Sequence, residues 1–202
     1  MNITTIQTGC IGENCYLVTA ERVLYVIDPG ADAEEIISRI DTLAGSFDKV
    51  EILLTHSHAD HIGAVSKVSA KYNAIVRLAP EDKGIYFSPD NAFPPYIPLA
   101  ENLPEPEPYA PCGNYTVIPT PGHTPGGVCI LFTSDDNTCH LFTGDTLFAG
   151  SIGRTDFDGG SMTQLSASLA KLVNTLPEDT VIYPGHGEFS TIGNEKKHNP
   201  YL

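Results

Sequence analysis

Residues 52–64 read ILLTHSHADHIGA, an apolar run that ends in His56, Ser57, His58, Ala59, Asp60 and His61. Three of the chain's seven histidines therefore fall within six positions, together with an aspartate. Imidazole and carboxylate are ligand groups for zinc, iron and manganese. Histidines crowded together without a cation would gain little, and would repel one another when protonated. The cluster follows residues 50–54, whose near-continuous apolar character predicts a buried strand. The histidines thus stand just beyond a strand end.

Working outward, the same arrangement recurs three times. VIPTPG leads into His123, LFTG into Asp145 and VIYPG into His186. Glycine or proline marks each of these turns, and such residues let a backbone reverse tightly at the rim of a sheet. If those strand ends share one edge, five histidines and two aspartates, Asp60 and Asp145, converge on it. His140 reads as a strand residue and His198 as part of a polar tail.

The surrounding elements follow from periodicity. Residues 3–8, 15–19 and 23–27 read as short strands of a meander, and Asp28-Pro29-Gly30 breaks the sheet. Residues 32–43 predict a helix capped by Asp32, with Glu35 in capping-box position and a stripe of Ile36, Ile37, Ile40 and Leu43. A second helix is expected from Gly63 to about Tyr72, a strand over 74–78 and a short helix over 80–86. Proline-rich residues 88–111 predict no regular structure, either as a surface connection or as a loop beside a site. Strands are expected again over 115–119, 128–133, 140–143 and 180–183. Between the last two, Ser161 and Gln164 form a capping box ahead of a stripe of Leu165, Leu169, Leu172, Val173 and Leu176.

Composition narrows the partners. The 202 residues fit a single domain, 1–202, large enough to bury a core without staples. The 11 basic and 25 acidic side chains leave a formal charge of −14. Nucleic-acid binding depends on Lys and Arg neutralising phosphates, so no nucleic-acid partner is expected. Anionic membrane surfaces are disfavoured for the same reason. No apolar run reaches the ~20 residues of a membrane span. The opening MNITTIQTG lacks the basic and apolar regions of a secretory signal. The five cysteines show no CxxC spacing and read as reduced thiols, which points to the cytoplasm. No GxSxG elbow is present, and no cysteine sits in a recognisable catalytic context.

With these motifs in hand, the chain resembles the metallo-β-lactamase superfamily, whose HxHxDH signature stands here as residues 56–61. PGHTPG at 121–126, GDTLFAGSIGRTD at 144–156 and YPGHG at 183–187 resemble its glyoxalase II branch, in particular short single-domain members that end in a stretch like NEKKHNPYL. The resemblance implies an α+β fold, an αββα four-layer sandwich of two packed mixed sheets with helices on the outer faces. It implies two divalent metal ions, zinc by preference, with iron or manganese as alternatives. His56, His58 and His123 would hold the first metal. Asp60, His61 and His186 would hold the second, and Asp145 would bridge both. Asp28 in the DPG turn resembles the family's early aspartate, a support beneath the histidine loop, and Thr55 joins it in that role. Arg154 and Asp156 are expected to form an ion pair.

Two metals about 3.5–4 Å apart would share a bridging water made acidic enough to supply hydroxide at neutral pH. That hydroxide would attack a metal-polarised carbonyl, with Asp60 orienting it and Asp145 holding both ions. The resemblance implies hydrolysis of a small-molecule thioester such as S-lactoylglutathione. Longer glyoxalase II enzymes bind glutathione through basic residues of a C-terminal helical domain. Here Lys196 and Lys197 are the basic pair near His186, and they read as a solvated tail. Another thiol or an ester therefore remains open. So do a persulfide dioxygenase with one iron on His56, His123 and Asp145, a lactonase or lactamase, and a vestigial metal-binding module.

Overall fold

The computed structural model describes residues 1–202. They form two compact units, Met1–Tyr109 and Ala110–Leu202.

In the first unit, β1 (Asn2–Thr8), β2 (Glu13–Ala20) and β3 (Val23–Ile27) form an antiparallel meander. Its second turn is the two-residue loop Glu21-Arg22, with φ of 45° and 61°. Two successive positive φ values are those of the hairpin turn that matches strand twist. After β3 the connections become right for parallel pairing. Helix α1 (Ala33–Thr42) leads to β4 (Lys49–Leu53), which pairs parallel to β3. Helices α2 (Ala59–Ile62) and α3 (Val65–Tyr72) lead to β5 (Ile75–Arg77), parallel to β4. The mixed sheet has the order β1-β2-β3-β4-β5. A 3-10 turn over Pro80–Asp82 and α4 (Lys83–Tyr86) follow.

Alternation places Leu17, Leu24, Val26, Ile52 and Val76 on the sheet face that meets Ile36 and Ile40 of α1 and Val65 and Val68 of α3. Ile37 and Leu43 complete that contact from its margin, so the expected stripe is the buried one. The opposite-face residues Tyr16, Val18, Tyr25, Ile27 and Leu53 are buried too.

In the second unit, β6 (Tyr115–Pro119), β7 (Val128–Thr133) and β8 (Cys139–Gly144) run antiparallel to one another in turn. A small hairpin of β9 (Leu147–Phe148) and β10 (Ser151–Ile152) comes next. Helix α5 (Met162–Thr175) crosses to β11 (Val181–Pro184), which pairs parallel to β8. The chain closes with β12 (Ser190–Thr191) and α6 (Ile192–His198). This sheet is also five-stranded and mixed, ordered β12-β11-β8-β7-β6. Leu165, Leu169 and Leu172 of α5 pack with Leu141, Cys129, Ile182 and Ile192. Each such fully buried side chain contributes about 1.5–3 kcal/mol.

Three expectations need correction. Asp32 precedes α1 but makes no side-chain cap. It sits at φ 49°, in the left-handed region, and its carboxylate instead accepts the Gly9 amide at 2.8 Å. The helix expected from Gly63 is α3, while an unexpected single turn, α2, begins inside the histidine motif at Ala59. The polar tail is helical, with Lys196, Lys197 and His198 exposed on it as expected. Residues of α6 are helical, and Ile192, Gly193 and Glu195 are buried. At α5 the cap is half as expected. The Ser161 hydroxyl accepts the Gln164 amide at 3.4 Å, but the Ser161 amide donates to the Gly122 carbonyl at 2.7 Å. No helix is long and apolar enough to cross a membrane.

Candidate functional site

The first unit assembles its candidate ligands on one loop. Strand β3 runs parallel to β4, so both end at the same edge of the sheet. Asp28 follows β3 directly, and His56 stands three residues past β4. The Asp28 amide donates to the Leu53 carbonyl at 3.1 Å, fastening the two ends together. His58 occupies the position before α2, and Asp60 and His61 lie in its single turn. The rings of His56 and His58 are 4.9 Å apart, those of His56 and His61 4.1 Å. His61 Nε2 lies 3.7 Å from the Asp60 carboxylate.

Beneath the rings, Asp28 is the hub. Its Oδ1 accepts the Thr55 amide at 2.7 Å, and its Oδ2 accepts the Thr55 hydroxyl at 2.5 Å. His61 Nδ1 lies 3.1 Å from the same Oδ2. Asp28, His56 and His61 come close enough to bind a cation on distance alone. The carboxylate already accepts the Thr55 amide and hydroxyl, which suits it to hold the His61 ring from beneath. Thr55 spends its hydroxyl hydrogen on Asp28 and therefore presents a lone pair to His56 Nδ1, 3.1 Å away.

In the second unit the candidate ligands come from three strand ends. Strands β6, β8 and β11 all run in one direction, because β7 is antiparallel to both its neighbours and β11 is parallel to β8. Their C-terminal ends thus share one edge, and His123, Asp145 and His186 follow them. Asp145 comes straight after β8 and His186 two residues past β11, where the Gly185 amide bonds the Gly144 carbonyl at 2.9 Å. His123 Nε2 and His186 Nε2 approach opposite oxygens of Asp145, at 3.6 and 3.8 Å. His123 Nδ1 meets the main-chain carbonyl of Arg154 at 2.7 Å.

A carbonyl can only accept, a carboxylate that already takes the Thr55 amide and hydroxyl acts as an acceptor, and the Thr55 oxygen has its own hydrogen committed elsewhere. His56, His61 and His123 must therefore carry their hydrogen on Nδ1, which leaves the lone pair on Nε2. This is the state a metal-binding imidazole needs, with its second nitrogen tied to an oxygen partner. The donor set fits divalent metals of the zinc, iron and manganese kind.

Several supporting residues carry no motif of their own. Glu13, only 1% exposed, accepts the Thr8 hydroxyl at 2.7 Å and places Oε1 3.9 Å from His61 Nδ1. Burial pushes its carboxyl well above the usual range, against the pull of His61. A charged residue heading an apolar strand, ENCYLV, was the available signal. Asp82 is wholly buried and accepts the Ser57 amide at 3.1 Å, and Asn91 Nδ2 donates to the Ser57 carbonyl at 2.6 Å. Nothing in the local sequence marks either one. Arg154 and Asp156 form the expected ion pair through two 2.6 Å contacts. Hydrogen bonding to Arg154 holds the Asp156 carboxyl down at about 2. His140 is a strand residue bonded through Nδ1 to the Tyr183 hydroxyl at 3.0 Å.

The proline-rich stretch is anchored to the first unit. Glu107 exchanges main-chain bonds with Val76 and Leu78, and the Tyr109 hydroxyl reaches the Leu54 carbonyl at 2.9 Å. Its Tyr96, Ile97 and Pro98 wall an open cavity of about 620 Å3 that also reaches Asp60 and Glu13. It is therefore a loop beside candidate site residues.

The profile of the family described as the metallo-beta-lactamase superfamily matches residues 8–186. The chain is 35% identical to hydroxyacylglutathione hydrolase GloC of Haemophilus influenzae, covering 100% of this chain and 98% of that protein. The crystal structure of TTHA1623 in a di-iron-bound form is similar with a TM-score of 0.86 and 35% identity, covering 98% of this chain and 100% of that one. The crystal structure of BLEG-1 B3 metallo-beta-lactamase is similar with a TM-score of 0.79 and 34% identity, covering 100% and 99%. The fold is the α+β fold of these proteins, with two mixed sheets and flanking helices.

Proposed function

The chain belongs to the metallo-β-lactamase superfamily, and from that premise we propose that it is a metal-dependent hydrolase of small-molecule thioesters. The observation that carries the reading is the hydrogen-bonded state of the rings. His56, His61 and His123 are each held through Nδ1, with Nε2 presented as a ligand atom. In the proposed site His56, His58 and His123 would hold one divalent ion and Asp60, His61 and His186 a second, with Asp145 available to both. Two such ions lower the pKa of water and polarise a carbonyl. The likeness to GloC over the whole chain supports a thioester as the class of substrate.

The side chains have defined work in this scheme. Asp28 and Thr55 fix the tautomers of His56 and His61. Arg154 does the same for His123 through its carbonyl. Asp60, partly exposed on the cavity wall, accepts a hydrogen bond from the attacking water and aligns it. The leaving thiolate needs little help, because a thiol has a pKa of about 8.5, far below that of an alcohol or amine. The absence of an obvious general acid among the motifs agrees with that. Zinc is the proposed metal, with iron next because a di-iron form is known for TTHA1623.

The test is elemental analysis of protein purified without added metal, paired with hydrolysis of S-lactoylglutathione and simpler thioesters. Roughly two metal equivalents per chain with thioester hydrolysis is the expected result. A single iron, no hydrolysis, and oxygen uptake with a persulfide would replace the hydrolase with a dioxygenase.

A further inference from the structure

Residues 144–154 leave β8 and return to the same edge of their sheet. Asp145 opens this excursion, and Arg154, whose carbonyl holds the His123 ring, closes it. The two ends touch. A Cβ on Gly153 would lie 1.7 Å from the Asp145 carbonyl oxygen, so only glycine admits that approach. Whatever sets the shape of the excursion therefore sets both a ligand and the support of another.

Its far end, the β9–β10 hairpin, is gripped by Glu195 on α6 and by Asn199, which follows the last residue of that helix. The Gly150 amide donates to Glu195 Oε2 at 2.7 Å. Asn199 Nδ2 donates to the Ser151 carbonyl at 3.0 Å, with the Phe148 carbonyl 3.5 Å away. The same amide group bonds Glu195 Oε2 at 2.8 Å, so the pair acts as a unit. Glu195 Oε1 takes Asn194 Nδ2 at 3.0 Å and the Ser190 hydroxyl. Helix α6 is itself firmly seated. Ile192 is fully buried in the α5 core, and the Gly193 amide bonds the Glu178 carbonyl at 2.8 Å.

A wholly buried carboxylate is costly unless its oxygens are satisfied. Glu195 is 0% exposed. Burial pushes its carboxyl up, but the bonds from Ser190, Gly150, Asn199 and Asn194 outweigh that and hold it below the usual range. Seating α6 does not require this arrangement, because Ile192 and Gly193 already do it. The polar clamp is directed at three consecutive parts of the hairpin tip.

We propose that Glu195 and Asn199 are positioning residues for the metal-binding half formed by His123, Asp145 and His186. They fix residues 144–154, and through them the placement of Asp145 and the tautomer of the His123 ring. The proposal rests on the metal-binding reading above.

The experiment compares Asn199→Ala, Glu195→Gln and Ile192→Ala in the full chain. Ile192→Ala weakens the seating of α6 and leaves the clamp residues in place. Three quantities are read: thermal unfolding, zinc affinity by chelator competition, and the His123 tautomer by nitrogen-detected NMR of the metal-free protein. Asn199→Ala is expected to weaken zinc binding by about 10–100-fold and to turn a single Nδ1–H tautomer into a mixture. Ile192→Ala is expected to lower the melting temperature at least as much with a smaller effect on both. Glu195→Gln keeps an acceptor for Gly150 and should fall between wild type and Asn199→Ala. An Asn199→Ala protein with wild-type zinc affinity and an unchanged ring would overturn the proposal, as would losses that merely track melting temperature across the variants. A wild-type protein that takes up no zinc, iron or manganese defeats the metal-binding reading, and the ring measurement then decides this one alone.

Discussion

The HSHADH loop and the His123–Asp145–His186 set solve one problem in opposite ways. The first places four candidate ligands within six residues and supports them with side chains, chiefly the Asp28 carboxylate and the Thr55 hydroxyl. The second draws one ligand from each of three strand ends and supports His123 with a main-chain carbonyl. A contiguous loop needs side-chain partners, because its own backbone is consumed in starting α2. A scattered set needs the sheet to align strand ends, and then needs the connecting loop held still. The first arrangement is written in neighbouring residues. The second depends on distant ones, including α6.

The largest effects should come from removing one ligand from each region. His58→Ala and Asp145→Ala are both expected to abolish turnover while circular dichroism stays that of wild type. Full activity in either would break the symmetry between the two sets. Next comes their support. Asp28→Asn removes a charged acceptor shared by Thr55 and His61, and should weaken metal binding by about 10–100-fold in a chelator competition. No single substitution deletes the Arg154 carbonyl, so Arg154→Ala should change affinity far less.

A third pair tests packing. Added Cβ atoms at Gly30 and Gly153 would each fall 1.7 Å from a candidate ligand's carbonyl oxygen, that of Asp60 and Asp145 respectively. Alanine at either position is expected to cost about 1–3 kcal/mol in denaturant unfolding, the range for an overpacked site. Equal losses would show that both regions depend on close backbone approach; a loss at Gly153 alone would locate that dependence in the scattered set. The smallest effect concerns α5. Ser161→Ala removes the hydroxyl that caps the Gln164 amide and should lower stability by about 1 kcal/mol.

Strands and helices with a clear apolar rhythm were legible from the chain alone. Residues 23–27 and the Leu165–Leu169–Leu172 stripe are examples, since burial on one face imposes a period. Helix α6 was not, because Ile192 is its sole large buried apolar residue and the rest reads as a polar tail. Strands β9, β10 and β12 are two residues long and carry no period at all. The Asp32 cap misled because its left-handed backbone turns the carboxylate toward Gly9, a contact that sequence spacing does not encode.

The candidate ligands and their order were therefore legible in the sequence. Histidine and aspartate are chemically distinctive, and each stands just past an apolar run that must become a strand. Beyond Asp28 and Thr55, the supports were decided by tertiary structure. The Arg154 carbonyl, the Ser57–Asp82 contact and the Glu195–Asn199 grip use groups that every chain possesses or residues that look like ordinary exposed polar side chains. Main-chain carbonyls are present at every residue, so a sequence cannot mark the one that meets an imidazole. Only the fold, by bringing residue 154 back to residue 123, makes that choice.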